Sequence, residues 1–176
     1  MPETVLIAYV SRYGTSKRVA ERVAAQVQAA GHTAVLRDLR DDDAFDPSAT
    51  FVVAVGAVYS NQHDDTLVKA LAAWSPQLGD RKQALVSISL AAALPPEVGE
   101  AMTLDYVEEL GQLTGFKPDR VALVAGALNE SAYDGPTRAL LNIAHWRTGL
   151  DADGDASFTD DAALDRTVRR WLGLRR

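Results

Sequence analysis

Residues 5–16 constrain the fold more than any other stretch. Val5-Leu6-Ile7-Ala8-Tyr9-Val10 is an unbroken apolar, β-prone run. Such a run, with no polar alternation, fits a strand covered on both faces of a parallel sheet. Ser11-Arg12-Tyr13-Gly14-Thr15-Ser16 follows, a turn of hydroxyls around one glycine. From Lys17 to Ala30, Val19, Ala20, Val23, Ala24 and Val27 recur at three- and four-residue steps, which predicts a helix. Strand, polar turn and helix in that order aim backbone N–H groups and the positive end of the helix dipole at the turn. Ser11, Thr15 and Ser16 add hydroxyl donors, and Gly14 lets the backbone approach a ligand closely. A phosphate suits such a turn. A hydroxyl before a helix also serves as a plain N-cap that binds nothing, and the residues alone leave both readings open. The turn lacks the three glycines of a dinucleotide fingerprint and the Gly-Lys-Ser/Thr of a P-loop. A single terminal phosphate therefore fits it better than a pyrophosphate or triphosphate.

The rest of the chain alternates strand and helix. His32 to Leu39 reads as a second strand, nearer the sheet edge because polar residues interrupt it. Phe51–Gly56 is a third strand, followed by a polar loop from Ala57 to Asp65 and a helix from Thr66 to Trp74. Ala84–Leu90 is a fourth strand, Ala91–Glu97 a connection, and Glu97–Leu113 a helix closed by Gly115. Val121–Leu128 is a fifth strand. A last helix carries Leu164, Val168, Trp171 and Leu172, capped by Asp160 or Asp161. This pattern predicts an α/β fold: a doubly wound, five-stranded parallel sheet in the order 2-1-3-4-5, with helices on both faces. Its ligand crevice would lie beside strands 1 and 3. Residues 1–176 suit a single domain. Residues 129–157 break the alternation as an insertion around the fifth strand. Within them Thr137–Trp146 reads as a short amphipathic helix, and Ala156-Ser157-Phe158 as a strand fragment. The Tyr133–Trp146 region suits a homodimer interface as well as a substrate lid.

Charge and composition exclude several classes. Eighteen basic against 24 acidic residues give a net charge of −6, which argues against nucleic acid or an anionic membrane as main partner. No apolar run approaches the ~20 residues needed to span a bilayer. The first residues lack the pattern of a secretory signal, so a cytoplasmic location is expected. With no cysteine there is no disulfide, thiolate nucleophile or iron–sulfur cluster, and any redox chemistry needs an organic cofactor. Asp41-Asp42-Asp43 lacks the spacing and glycine of a calcium loop and reads as a solvated turn; no metal site is expected. No Ser/His/Asp set or catalytic carboxylate pair stands out, so no catalytic residue is assigned. His63 beside Asp64 and Asp65 fits a proton relay or a helix start capped by Asp65. His145, next to Trp146, reads as packing or surface.

Tyr9-Val10-Ser11-Arg12-Tyr13-Gly14-Thr15-Ser16, with Ala20 and Val23, resembles the flavodoxin phosphate-loop signature. Ser16 stands where that signature usually has threonine, and Ala8 where it prefers a larger apolar residue. The whole layout is similar to that of long-chain flavodoxins. Gly56-Ala57, Ser87-Ile88-Ser89-Leu90, Val124–Leu128 and Phe158-Thr159-Asp160 resemble one flavodoxin-domain branch, the menaquinone-dependent protoporphyrinogen dehydrogenases. The resemblance implies an FMN-binding oxidoreductase of heme biosynthesis. It would oxidise protoporphyrinogen IX or a related small substrate and pass electrons to an acceptor such as a quinone. By the same resemblance Ser11, Tyr13, Gly14, Thr15 and Ser16 would hold the FMN phosphate, with Arg12 adding charge. Ala57, Val58, Tyr59, Ser60 and Asn61 would lie along the flavin ring, with Tyr59 stacking on it, and Ser89, Leu90, Ala91 and Ala92 would meet its other edge. Gln62 stands near the place where a flavodoxin carbonyl turns toward the ring, and a residue that resists positive φ makes that turn costlier. The loop after strand three has no glycine beyond Gly56, and the insertion is acidic at Asp134, Asp151, Asp153 and Asp155, which anionic lipid would repel. The alternative is a flavodoxin-fold binding or regulatory module that has lost its flavin.

Overall fold

The computed structural model describes residues 1–128, 156–157 and 159–174. In chain order they form β1 (Thr4–Tyr9), α1 (Thr15–Ala29), β2 (Thr33–Asp38), β3 (Phe51–Tyr59), β4 (Gln62–His63) and α2 (Asp65–Leu78). There follow β5 (Lys82–Ser89), a 3-10 turn (Ala91–Ala93), α3 (Pro96–Thr114), β6 (Arg120–Ala125), β7 (Ala127–Leu128), β8 (Ala156–Ser157) and α4 (Asp161–Trp171). The main sheet runs β2-β1-β3-β5-β6, all parallel. With the two-residue β4 set aside, this is the expected 2-1-3-4-5 order. The C-terminal ends of β1, β3 and β5 emerge at one edge, where parallel sheets place their ligand loops.

Strand periodicity divides the core. Val5, Ile7, Val53, Val55, Val86 and Ile88 pack against Val19, Ala20, Val23 and Val27 of α1 and Leu164 and Val168 of α4. Leu6, Ala8, Val52, Ala54 and Leu85 turn the other way, onto Leu67, Leu71, Trp74 and Leu78 of α2 and Leu110 of α3. Alternate residues thus bury on opposite faces, which is why β1 and β3 are apolar throughout. α4 is fastened to α1 by ion pairs. Arg18 Nη1 donates to both carboxylate oxygens of Asp161 at 2.9 and 3.0 Å, and Arg22 forks onto Asp165 with two contacts of 2.7 Å.

Several boundaries differ from expectation. β3 runs on to Tyr59 because β4 pairs back onto it, Val58 with His63 and Tyr59 with Gln62. The expected polar loop is therefore a two-residue hairpin, with Ser60 and Asn61 at φ 49° and 70°. That conformation suits the right-handed twist of a hairpin. α2 starts behind Asp64, not Asp65: the Asp64 carboxylate accepts the Thr66 N–H. The helix also continues past Ser75-Pro76 to the buried Leu78. The connection after β5 holds a 3-10 turn, and α3 begins at Pro96, whose missing N–H costs nothing in a first turn. The expected fifth strand splits at Gly126. That residue's N–H donates to Ser89 O at 3.1 Å, and β7 leaves the main sheet to pair with β8. Asp160 caps α4 through the Ala163 N–H, 2.9 Å away. The Thr137–Trp146 helix, His145 and the insertion apart from β8 lie outside the described residues. Among the described residues no helix is long and apolar enough to cross a membrane.

Gly99 shows how tightly α3 sits on the 3-10 turn: a Cβ there would come within 2.1 Å of the Ala91 carbonyl oxygen. Gly→Ala in an open helix stabilises by up to about 1 kcal/mol. Gly99→Ala should instead destabilise by about 1–3 kcal/mol, because backbone must yield. Urea unfolding of the variant measures the sign.

Candidate functional site

The turn between β1 and α1 is held by its own first hydroxyl. Ser11 Oγ accepts the Gly14 N–H at 3.0 Å. Gly14 is the N-cap of α1 in the left-handed region, φ 92° and ψ −19°, and it has no side chain with which to cap. No protein atom lies within 4 Å of the place a Cβ would take, so backbone conformation, not packing, calls for glycine here. The hydroxyl-cap reading left open above is therefore not what forms: Thr15 and Ser16 are inside the helix and no side chain caps it. The N–H groups of the first turn have no intrahelical acceptor. The first turn also holds no acidic residue to oppose an anion. Ser16 is 1% exposed, and its Oγ is a buried polar atom with no hydrogen-bond partner. Leaving such a group unpaired costs about 1–3 kcal/mol. A ligand with acceptor oxygens relieves that cost, so the residues present fit a phosphate.

Arg12 points elsewhere. Its Nε donates to Asp64 Oδ2 at 2.7 Å, and its guanidinium lies 4.6 Å from the centroid of the Tyr59 ring. Tyr13 meets the same ring edge-on at 6.1 Å. Asp64 is 4% exposed, while its Oδ1 accepts the Thr66 N–H at 3.0 Å. Burial alone would raise the Asp64 pKa, but the Thr66 N–H and Arg12 outweigh it and hold the carboxyl below its usual range. The expectation that Arg12 adds charge at the phosphate turn is corrected: its charge is committed to Asp64.

The other two loops flank this corner. Ala57 and Val58 belong to β3 itself, and Ser60 and Asn61 form the exposed hairpin tip. Asn61 Oδ1 accepts the Tyr106 hydroxyl at 3.2 Å and Gln62 donates to Glu109 at 3.1 Å, so the hairpin is moored to α3. Positive φ falls on Ser60 and Asn61, whereas Gln62, expected to resist it, is in a strand. Ser89 ends β5 with its Oγ accepting the Ala92 N–H at 3.2 Å. Leu90 leads into the 3-10 turn, whose Ala91 is buried. Ala92 also lines a groove of about 640 Å³ along β6 and α4, together with Val121, Leu123, Asp160 and Arg170.

His63 forms no relay with Asp64 or Asp65. Its Nε2 lies 3.0 Å from Ser87 Oγ in a buried pair, and Asp64 is engaged by Arg12 and Thr66. The sequence reading missed both Asp64 as the anchor of Arg12 and Tyr106 as the mooring of the hairpin. Asp64-Asp65-Thr66 does carry a helix-start signal, but nothing in it names a partner 52 residues away. Among the described residues no cluster of His, Asp or Glu could hold a metal ion.

The strand order and the helices on both faces define a doubly wound α/β protein whose first turn leaves the start of α1 without a side-chain cap. The chain belongs to the flavodoxin-domain family, which matches residues 6–155. No curated protein matches it. Among solved structures, Fusobacterium nucleatum flavodoxin bound to flavin mononucleotide is 9% identical, with 97% of this chain and 95% of that one covered and a TM-score of 0.54. The azoreductase AzrA is 15% identical, with 97% and 100% covered, also at 0.54. Against rubredoxin oxygen:oxidoreductase from Desulfovibrio gigas, 14% identical with a TM-score of 0.47, 97% of this chain is covered but only 36% of that one. For the flavodoxin and the azoreductase, at 9% and 15% identity, the likeness is one of fold.

His63 gives the fold a pH dependence. Burial pushes its pKa down from the ordinary 6.5 to about 4. The unfolded chain therefore takes up a proton that the folded chain refuses. Stability is full above pH ~6.5 and falls as the pH drops toward 4, by up to about 3 kcal/mol. His63→Gln should flatten that stretch of the curve of urea midpoint against pH.

Proposed function

We propose that the chain is an FMN-dependent oxidoreductase whose phosphate seat is the N-terminus of α1. The observation that carries this reading is the orphan hydroxyl of Ser16 in a turn whose helix no side chain caps. Bound there, FMN would supply the hydride or electron transfer for which the side chains of this corner have no equipment of their own. Ser11, Tyr13, Gly14, Thr15 and Ser16 line the phosphate turn, and N–H groups and hydroxyls satisfy its oxygens at the positive end of the helix dipole. Ala57, Val58, Tyr59, Ser60 and Asn61 form one wall for the ring, and Ser89, Leu90, Ala91 and Ala92 the other. Those walls offer backbone, the ring of Tyr59, apolar side chains and the neutral polar side chains of Ser60, Asn61 and Ser89, with no carboxylate or imidazole among them. Protoporphyrinogen IX, with a quinone as acceptor, heads the substrate classes on the sequence resemblance of Gly56-Ala57, Ser87–Leu90 and Val124–Leu128. A cytoplasmic location is part of this proposal, on the absence of cysteine from the chain.

Reconstitution tests it directly. The protein incubated with FMN should retain flavin absorbance and bind FMN more tightly than riboflavin, which lacks the phosphate. Ser16→Ala should lower FMN affinity about tenfold or more, the worth of one hydrogen bond to a charged group. Riboflavin affinity should not change, and the apoprotein should be no less stable, because an unpaired buried polar atom has been removed. FMN binding untouched by this substitution would overturn the phosphate seat. A protein that takes up no FMN would favour the binding or regulatory module instead.

A further inference from the structure

Arg12 sits in the phosphate turn yet reaches three other groups: the buried Asp64, the face of Tyr59 and, through that ring, Tyr13. We propose that Arg12 is a positioning residue for the ring of the flavin: the carboxylate of Asp64 holds its guanidinium over the Tyr59 ring, 4.6 Å from the centroid, and thereby sets where Tyr59 stands. This rests on the FMN reading above but assigns Arg12 a different task from the phosphate ligand its place in the turn suggests.

Three observations carry it. First, Arg12 is 45% exposed while Asp64 is 4% exposed, so a mobile side chain is tethered to a fixed point. Second, that point is rigid for its own reason, because the other carboxylate oxygen of Asp64 caps α2 on the Thr66 N–H. Third, Tyr59 closes β3 just before the hairpin tip, at the edge where β1, β3 and β5 deliver their loops. A planar guanidinium stacks on an aromatic face in a way an ammonium does not, so the pairing depends on arginine. The phosphate turn and the ring wall are thereby joined through one side chain.

The proposal separates from a phosphate role by comparing two flavins. Arg12→Gln should weaken FMN and riboflavin by the same factor, about two- to five-fold, the worth of a partly exposed cation–aromatic contact. It should also change the visible circular dichroism of the bound flavin. Asp64→Asn keeps a good N-cap for α2 and removes only the ion pair, so it should show the same equal loss. The double variant should be no worse than either single one, since both act on one contact. If Arg12→Gln does not fold, Asp64→Asn carries the same comparison. Loss of FMN affinity alone would make Arg12 a phosphate ligand and overturn the proposal, as would unchanged affinity and dichroism for both flavins. Wild-type protein that binds neither flavin overturns the FMN reading, and this proposal falls with it.

Discussion

The site depends on donors left open at the start of α1. A helix always begins with N–H groups that its own backbone cannot satisfy, and here Ser11 takes that of Gly14 while no N-cap side chain serves the turn that follows. What makes this useful is placement. β1 is paired on both sides, by β2 and β3, and covered on both faces by helices, so the point at which its chain emerges is fixed by the whole core. Gly14 then turns the backbone into the left-handed region, where a side chain would add strain. The position of that turn is largely a consequence of burying an apolar strand.

Around that point the loops are braced by a few polar contacts, each serving two elements. The carboxylate of Asp64 starts α2 with one oxygen and grips the β1–α1 turn with the other. Tyr106 and Glu109 of α3 hold the hairpin that follows β3. Ser89 closes β5 onto the 3-10 turn with its hydroxyl and receives the Gly126 N–H on its carbonyl. A corner built this way has little freedom to rearrange one loop without its neighbours.

Sequence periodicity sufficed for the layers. Unbroken apolar runs such as Val5–Val10 and Phe51–Gly56 suit strands covered on both faces, and the valines of α1 define a single face. The turn between β1 and α1 was legible for the same local reason, since hydroxyls and a glycine sit between a strand and a helix. What escaped was non-local or balanced on small energies. The hairpin at Ser60-Asn61 carries no glycine, so its positive φ values left no mark in the residues. The apolar spacing carried α2 only to Trp74, whereas the burial of Leu78 keeps a further turn in place past Pro76. Arg12 looked like a phosphate ligand because only the fold brings Asp64 to it.

The ion pairs between α1 and α4 tie residues 143 positions apart. Bringing together residues so far apart costs chain entropy before the contact returns anything. During synthesis, then, the first helix waits with one flank uncovered until Asp161 and Asp165 have left the ribosome, and the outer helix closes that flank last.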